Sequence, residues 1–367
     1  MVLFGLLIAT IVAELFLRHF IDPVTSMAIW FQPKEGQKAY EWQFIKSDNC
    51  IANTFSAFDP DLGWDIGEDG TRRVSRSKVE TEQPPLRILF IGDSFVYGSE
   101  VSDMQTTSHY VTQLSTNTIV ANMGVPGFGI GQSYLKLIKK GLAWEPNIVV
   151  FGIHPPNYER TVMEFFSRPK PRFWASPSDG KLMIDAPPLF SATPDFCQSL
   201  KELRKYDFFF AAFIKKVFYR LNPPAQANGV KEYFVKYDPV IRKILKNTQE
   251  LLTAKGIKFI VLQIPHGTQF KSDTEQQRYL ERYPIPQKLN TILDDIDVIH
   301  VDLKSEMMMR FDRQTIFDKF YTHPKGSKSA GHLSPFGNQF AAEMVHEKLC
   351  LILSDECLKY LKSPNTK

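Results

Sequence analysis

No run of lysine or arginine longer than a pair occurs in this chain; the basic residues come as scattered pairs such as Lys139-Lys140 and Lys215-Lys216. With 44 Lys and Arg against 40 Asp and Glu, the formal charge is only +4 over 367 residues, too little to argue for a nucleic-acid partner. Cys-x-x-Cys spacing is absent as well, and with it the usual pattern of a zinc site. The four cysteines, Cys50, Cys197, Cys350 and Cys357, stand far apart or seven residues apart. Two readings stay open for them: pairing of Cys350 with Cys357 and of Cys50 with Cys197 in an oxidising compartment, or four buried thiols. A dinucleotide fingerprint is also missing. Gly127-Phe128-Gly129-Ile130-Gly131-Gln132 lacks the last glycine of G-x-G-x-x-G, and it follows the second apolar strand, not the first. No cofactor and no metal are implied.

Apolar residues, at 43%, are present in ordinary globular proportion, and aromatics reach 13% with 29 Phe. Met1 to Leu17 is almost wholly apolar, broken by Gly5, Thr10 and Glu14 and closed by Arg18-His19. No basic residue precedes Arg18 and no small-x-small cleavage site is evident, so residues 1–21 read as an uncleaved membrane anchor or signal-anchor. The remainder is then expected outside the cytoplasm, in the periplasm or beyond. Residues 22–85 carry Pro, Gly, Trp and alternating charge, an extension expected to pack on the core. Within it, Phe58-Asp59-Pro60-Asp61-Leu62-Gly63-Trp64 reads as a structured turn.

From Leu86 onward the pattern becomes rhythmic. Apolar strands are predicted at 86–91, 118–123, 147–153, 257–264 and 298–303, with helical periods at about 105–115, 131–143 and 238–255 between them. A final helix follows Pro335, with Phe340, Met344, Val345 and Leu349 on one stripe. Alternating strands and helices predict an α/β fold: a doubly wound, mainly parallel five-stranded sheet in a three-layer sandwich over 86–357, with a tail at 358–367. Residues 158–236 interrupt the rhythm. They are rich in Pro and Phe and contain an aromatic helix over 203–221, and they read as an insertion above the carboxyl edge of the sheet.

Chemistry concentrates at four places. Gly92-Asp93-Ser94 follows the strand Leu-Arg-Ile-Leu-Phe-Ile, which puts a hydroxyl at a strand's carboxyl end, where α/β proteins hold ligands. The second strand runs into Gly124-Val125-Pro126-Gly127, whose backbone N–H groups suit an oxyanion. The third ends at His154-Pro155-Pro156-Asn157, where an asparagine side chain can point at the same oxyanion. Gly331-His332-Leu333-Ser334 opens the last helix and offers a general base.

In this order the four segments resemble the SGNH (GDSL-type) hydrolase family, over roughly 86–157 and 257–350. With the apolar start and Asp59 to Trp64, they are similar to its membrane-tethered bacterial members, which are associated with modification of cell-surface polysaccharides. The resemblance implies Ser94 as nucleophile and His332 as its base, with an oxyanion hole made by the Ser94 N–H, the Gly127 N–H and Asn157. It implies an exported serine esterase or O-acyltransferase acting on acyl groups of a glycan or lipid; a membrane acyltransferase is the partner expected if the chain instead serves as a scaffold. One departure stands out: the acid three residues before the histidine is Ser329 here. Asp93, Asp318, Ser329 or a backbone carbonyl are the candidate supports for the ring. That gap motivates an alternative of another class, a non-catalytic glycan-binding scaffold on the same fold, whose sugar-stacking aromatics would be Trp144, Trp174 and Tyr158.

Overall fold

The computed structural model describes residues 2–20, 57–66, 69–78, 82, 84–163, 166, 170–176, 178–187, 229–282, 286–324 and 330–353. The chain divides into two compact units: Met1–Trp64 with Glu164–Lys170 and Ala186–Gly229, and Asp65–Met163 with Pro171–Asp185 and Val230–Lys367. The first begins with helix α1 (Val2–Phe20), on which Ile8, Ile11, Val12, Leu15 and Phe16 are exposed. Among the described residues no helix is long and apolar enough to cross a membrane. Strands β1 (Ala57–Asp59) and β2 (Gly63–Asp65) form a hairpin. Its turn is closed by the Asp59 carboxylate, which accepts the Asp61 and Leu62 N–H groups at 3.0 Å each. The aromatic segment 203–221, Cys50, Cys197 and Cys357 lie outside the described residues.

The second unit is built on a six-stranded sheet. Its strands are β3 (Arg73–Arg76), β4 (Leu86–Ile91), β5 (Thr118–Asn122), β6 (Ile148–Ile153), β9 (Lys258–Gln263) and β10 (Ile299–Asp302), in the order β10-β9-β6-β4-β5-β3. Five are parallel, and they are the five read from the sequence. The sixth, β3, pairs antiparallel with β5 (Arg73 opposite Asn122) and adds an edge that the sequence reading left in the extension. A separate hairpin, β7 (Arg172–Ala175) with β8 (Leu182–Asp185), occupies part of the expected insertion.

Period-two alternation sorts the strand residues onto two faces. Ile88, Phe90, Val120, Val150, Ile260 and Leu262 face one core, and Leu89, Ile91, Val149, Phe151, Phe259 and Val261 face the other. Helices α3 (Thr107–Leu114) and α11 (Pro335–Leu353) cover the first face, with Phe340, Met344, Val345 and Leu349 all buried. Helices α4 (Ile130–Lys136) and α6 (Gly229–Ala254) cover the second through Ile130 and through Ile241, Ile244 and Leu245. This is the three-layer sandwich expected from the sequence. Where α4 ends, the predicted helix over 131–143 loosens into a π-turn at Leu137–Gly141 and a short 3-10 turn at Leu142–Trp144. Cys350, on α11, is disulfide-bonded.

Candidate active site

β4 ends at Ile91, Gly92 turns the chain, and the short helix α2 (Ser94–Tyr97) begins at the serine. Asp93 caps it, its carboxylate accepting the Phe95 N–H at 2.9 Å. The helix can sit this low only because two neighbouring positions have no side chain. A Cβ on Gly124 would lie 2.4 Å from the Tyr97 nitrogen, and one on Gly152 would lie 2.1 Å from Val96 Cγ2. So the glycines at the ends of β5 and β6 are needed for close approach, and α2 holds Ser94 on three strand ends at once.

His332 arrives from the far end of the sequence. Its Nε2 lies 2.9 Å from Ser94 Oγ. The loop that carries it is locked antiparallel to the segment after α10 (Arg313–Phe320), with the Thr322 N–H donating to the His332 carbonyl at 2.9 Å and the Gly331 N–H to the Thr322 carbonyl at 2.8 Å.

The carboxylate that the structure sets beside His332 is that of Glu100. Its Oε1 stands 3.1 Å from His332 Nδ1, and its Oε2 accepts the His332 backbone N–H at 3.1 Å and the Thr322 hydroxyl. The ring N–H is not aimed squarely at Oε1, so the carboxylate stands beside Nδ1 without a directed hydrogen bond to it. Partial burial would raise the Glu100 carboxyl, but the Thr322 hydroxyl, the His332 N–H and the His332 ring together hold it below the ordinary glutamate value. It is therefore the carboxylate form that faces the histidine. Glu100 sits six residues after the nucleophile in a turn, with φ 72, a conformation unusual for any residue but glycine.

The other candidate supports are elsewhere. Asp318 lies exposed on α10, accepting from Gln314 at 2.8 Å, and Ser329 falls outside the described residues. Asp93 is buried beneath the site, where its second oxygen takes Asn157 Nδ2 at 2.7 Å and Arg160 Nη1 at 3.3 Å. That pairing corrects the expectation for Asn157. Its two amide hydrogens go to Asp93 and to the Phe128 carbonyl, the latter at 3.0 Å, while its oxygen accepts the His154 N–H at 2.6 Å. In this arrangement Asn157 braces the turn after β6 and has no hydrogen left for an oxyanion. The Ser94 and Gly127 N–H groups, by contrast, have no protein acceptor among the described residues. The aromatics proposed for sugar stacking are not gathered on Ser94. Trp144 lies under the Arg87 guanidinium (4.2 Å) at the opposite, amino-terminal edge of the sheet, and Tyr158 is buried at 1% exposure. Trp174 is on β7, half-buried.

Two further histidines flank the site and were not singled out in the sequence. The Phe95 ring is 4.8 Å from the His332 ring and 4.2 Å from the His154 ring, which in turn is 5.4 Å from His266. Burial pushes His154 well below its ordinary value, reinforced by the charges of His266 and Arg160. Burial, then His332, Arg160 and Lys271, push His266 down to about 4. Both rings are thus neutral at pH 7 beside His332. Among the described residues no group of His, Cys, Asp or Glu side chains is placed to hold a metal.

A nucleophilic hydroxyl at a strand–helix turn, a histidine on its oxygen and a carboxylate on the far ring nitrogen form the nucleophile–base–orienter set of acyl transfer. No protein-family model matches the chain, and no curated protein matches it. Among solved structures, it is similar to an acetylxylan esterase from Geobacillus stearothermophilus at 13% identity, covering 74% of this chain and 96% of that one with a TM-score of 0.39. It is also similar to a lipase/acylhydrolase from Enterococcus faecalis at 12% identity, covering 77% and 100% with a TM-score of 0.37. A G-D-S-L family structure from Desulfitobacterium hafniense aligns at 13% identity over 71% and 97%, TM-score 0.37. At these values the functional reading is carried by the geometry of Ser94, His332 and Glu100.

Proposed function

We propose that the protein is an SGNH-type serine hydrolase that acts on ester bonds through an acyl-enzyme on Ser94. The observation that carries this reading is Ser94 Oγ at hydrogen-bond distance from His332 Nε2, with the Glu100 carboxylate beside the opposite ring nitrogen. With the carboxylate at Nδ1, the ring keeps its proton there and presents a bare Nε2 to the serine. As Oγ bonds to the ester carbonyl carbon, its proton passes to Nε2, and the carbonyl oxygen becomes an anion held by the Ser94 and Gly127 N–H groups. Collapse breaks the bond to the alcohol, which takes the proton back from Nε2. Water or a sugar hydroxyl then repeats the sequence in reverse, which makes the protein an esterase in the first case and an O-acyltransferase in the second.

The finer reading is an exported, membrane-tethered enzyme working on acyl groups of a cell-surface glycan or lipid. Two features support it. A disulfide at Cys350 fits an oxidising compartment, and α1 exposes an apolar face at Ile8, Ile11, Val12, Leu15 and Phe16. The scaffold alternative drew its strength from the absent acid, and Glu100 removes that argument. The test is covalent labelling of the full chain by a fluorophosphonate together with turnover of p-nitrophenyl acetate. Wild type labels and turns over, and Ser94→Ala does neither; an unlabelled wild type that binds glycan would return the scaffold reading.

A further inference from the structure

Glu100 holds its left-handed backbone on a turn between α2 and the 3-10 turn at Asp103–Gln105, outside any regular element. A turn of that kind keeps its shape only if surrounding bonds over-determine it. One side chain supplies four of them. Arg72, just before β3, sends Nη1 to the carbonyls of Tyr97 and Gly98 (2.6 Å to the latter), Nη2 to the Val101 carbonyl at 2.9 Å, and Nε to Asp103 Oδ1 at 2.9 Å. Its guanidinium carbon also lies 4.3 Å from the centre of the Tyr97 ring. The carbonyls it grips bracket Glu100 on both sides, and its side chain is only 10% exposed. Arg72 is itself fixed to the sheet, its N–H donating to the Asn122 carbonyl at 2.8 Å at the end of β5.

We propose that Arg72 is a positioning residue for catalysis: its planar fork fixes the turn 97–103 in the one shape that sets the Glu100 carboxylate against His332. The proposal rests on the serine-hydrolase reading above and deepens it. Only a guanidinium can do this with a single side chain. It offers five donors in fixed directions, whereas an ammonium is a point charge that cannot reach carbonyls on both sides of Glu100 at once. Gly98 completes the fit, because at φ 78 it takes the turn without strain and a Cβ there would crowd Arg72 Nη1 at 3.1 Å. The motif is invisible as spacing, since Arg72 precedes the nucleophile's strand and Glu100 follows its helix.

The experiment is a double-mutant cycle on the full chain, with p-nitrophenyl acetate as substrate. Arg72→Met should lower kcat by about 10- to 100-fold with KM little changed, the size of loss that a misplaced catalytic group produces. In a Glu100→Gln background the same change should cost less than about threefold, because the group it positions is already disabled. Equal losses in both backgrounds, or an unchanged kcat in Arg72→Met, would overturn the proposal. A second readout does not depend on turnover. Carbon-13 titration of the Glu100 carboxyl should move upward in Arg72→Met, as the bonds that hold it below its usual range are lost, and an unmoved titration counts against Arg72. Arg72→Lys, expected to be intermediate in both readouts, carries the test if the Met variant does not fold. Failure of the underlying reading looks different. It would appear as full activity in Ser94→Ala or Glu100→Gln, whereas failure of the Arg72 proposal leaves those two variants impaired.

Discussion

Glu100 combines a functional carboxylate with an unfavourable backbone, and the two can be separated by substitution. Glu100→Gln keeps the side chain's size but cannot stabilise the imidazolium, and kcat is expected to fall by about 10³–10⁴ with KM nearly constant. Stopped assays over matched protein concentrations would show this, and a loss under about tenfold would demote the residue. Glu100→Gly and Glu100→Ala both lack the carboxylate and differ only by a Cβ in a left-handed turn. The Gly variant should therefore be the more stable by about 1–2 kcal/mol in urea melts. Asn157→Ala should lower stability as well as rate, because it takes a hydrogen-bond donor from the buried Asp93 carboxylate, a loss of about 1–3 kcal/mol. A variant as stable as wild type but catalytically weak would restore the oxyanion role that its bonding here argues against. At this scale the sequence was half legible. Ser94 and His332 stood in recognisable local patterns, but Glu100 is joined to His332 across 232 positions through the Thr322–His332 bridge. The one hint of it was an acidic residue following Gly98-Ser99 in the turn just after the nucleophile's helix.

Among the elements, α2 is the one on which the chemistry turns, four residues long and seated by backbone contact. Gly124→Ala would drive a methyl against the Tyr97 nitrogen, a backbone atom with little freedom to yield. The expected cost is about 1–3 kcal/mol, with kcat falling more than KM as the serine shifts from His332. A thermal melt and a kinetic run on one preparation check both, and a neutral substitution would mean that α2 is free to rise. Four of the parallel strands were legible because each is a short apolar run, almost wholly buried and bounded by Gly, Pro or Asn; β10, at the sheet edge, was legible from its alternation of apolar and polar residues. β3 was not, because Arg73-Val74-Ser75-Arg76 has a charge at each end and a single apolar residue, as a short edge strand does, and reads locally like a loop. The final helix was legible from its stripe; the end of α4 was blurred where the helix loosens into the π-turn after Lys136.

For the molecule as a whole, the two neutral histidines beside the site set an acid limit. Both have folded-state values below the ordinary 6.5, His266 at about 4. Unfolding therefore takes up protons between roughly pH 6.5 and 4, and stability falls as the pH drops through that window. The slope is up to about 1.4 kcal/mol per pH unit for each histidine. Urea midpoints at pH 7 and pH 5 should differ accordingly, and His266→Gln should flatten the difference; identical midpoints in wild type would show that these rings are not buried neutral.

Glu100 touches His332 twice, with Oε2 on the backbone N–H and Oε1 beside the ring. A side chain bonded at its root and flanked at its tip by the same carboxylate, with Ser94 Oγ on its other nitrogen, has lost most of its rotamer freedom before any substrate arrives. On the proposed mechanism there is then no priming step to wait for. Inactivation by a fluorophosphonate should follow a single exponential from the first moment, with neither lag nor slow phase, and preincubation with a substrate-like alcohol should not quicken it. Cutting only one of the two attachments would give the ring back its swing, and a delayed onset of labelling would be its signature.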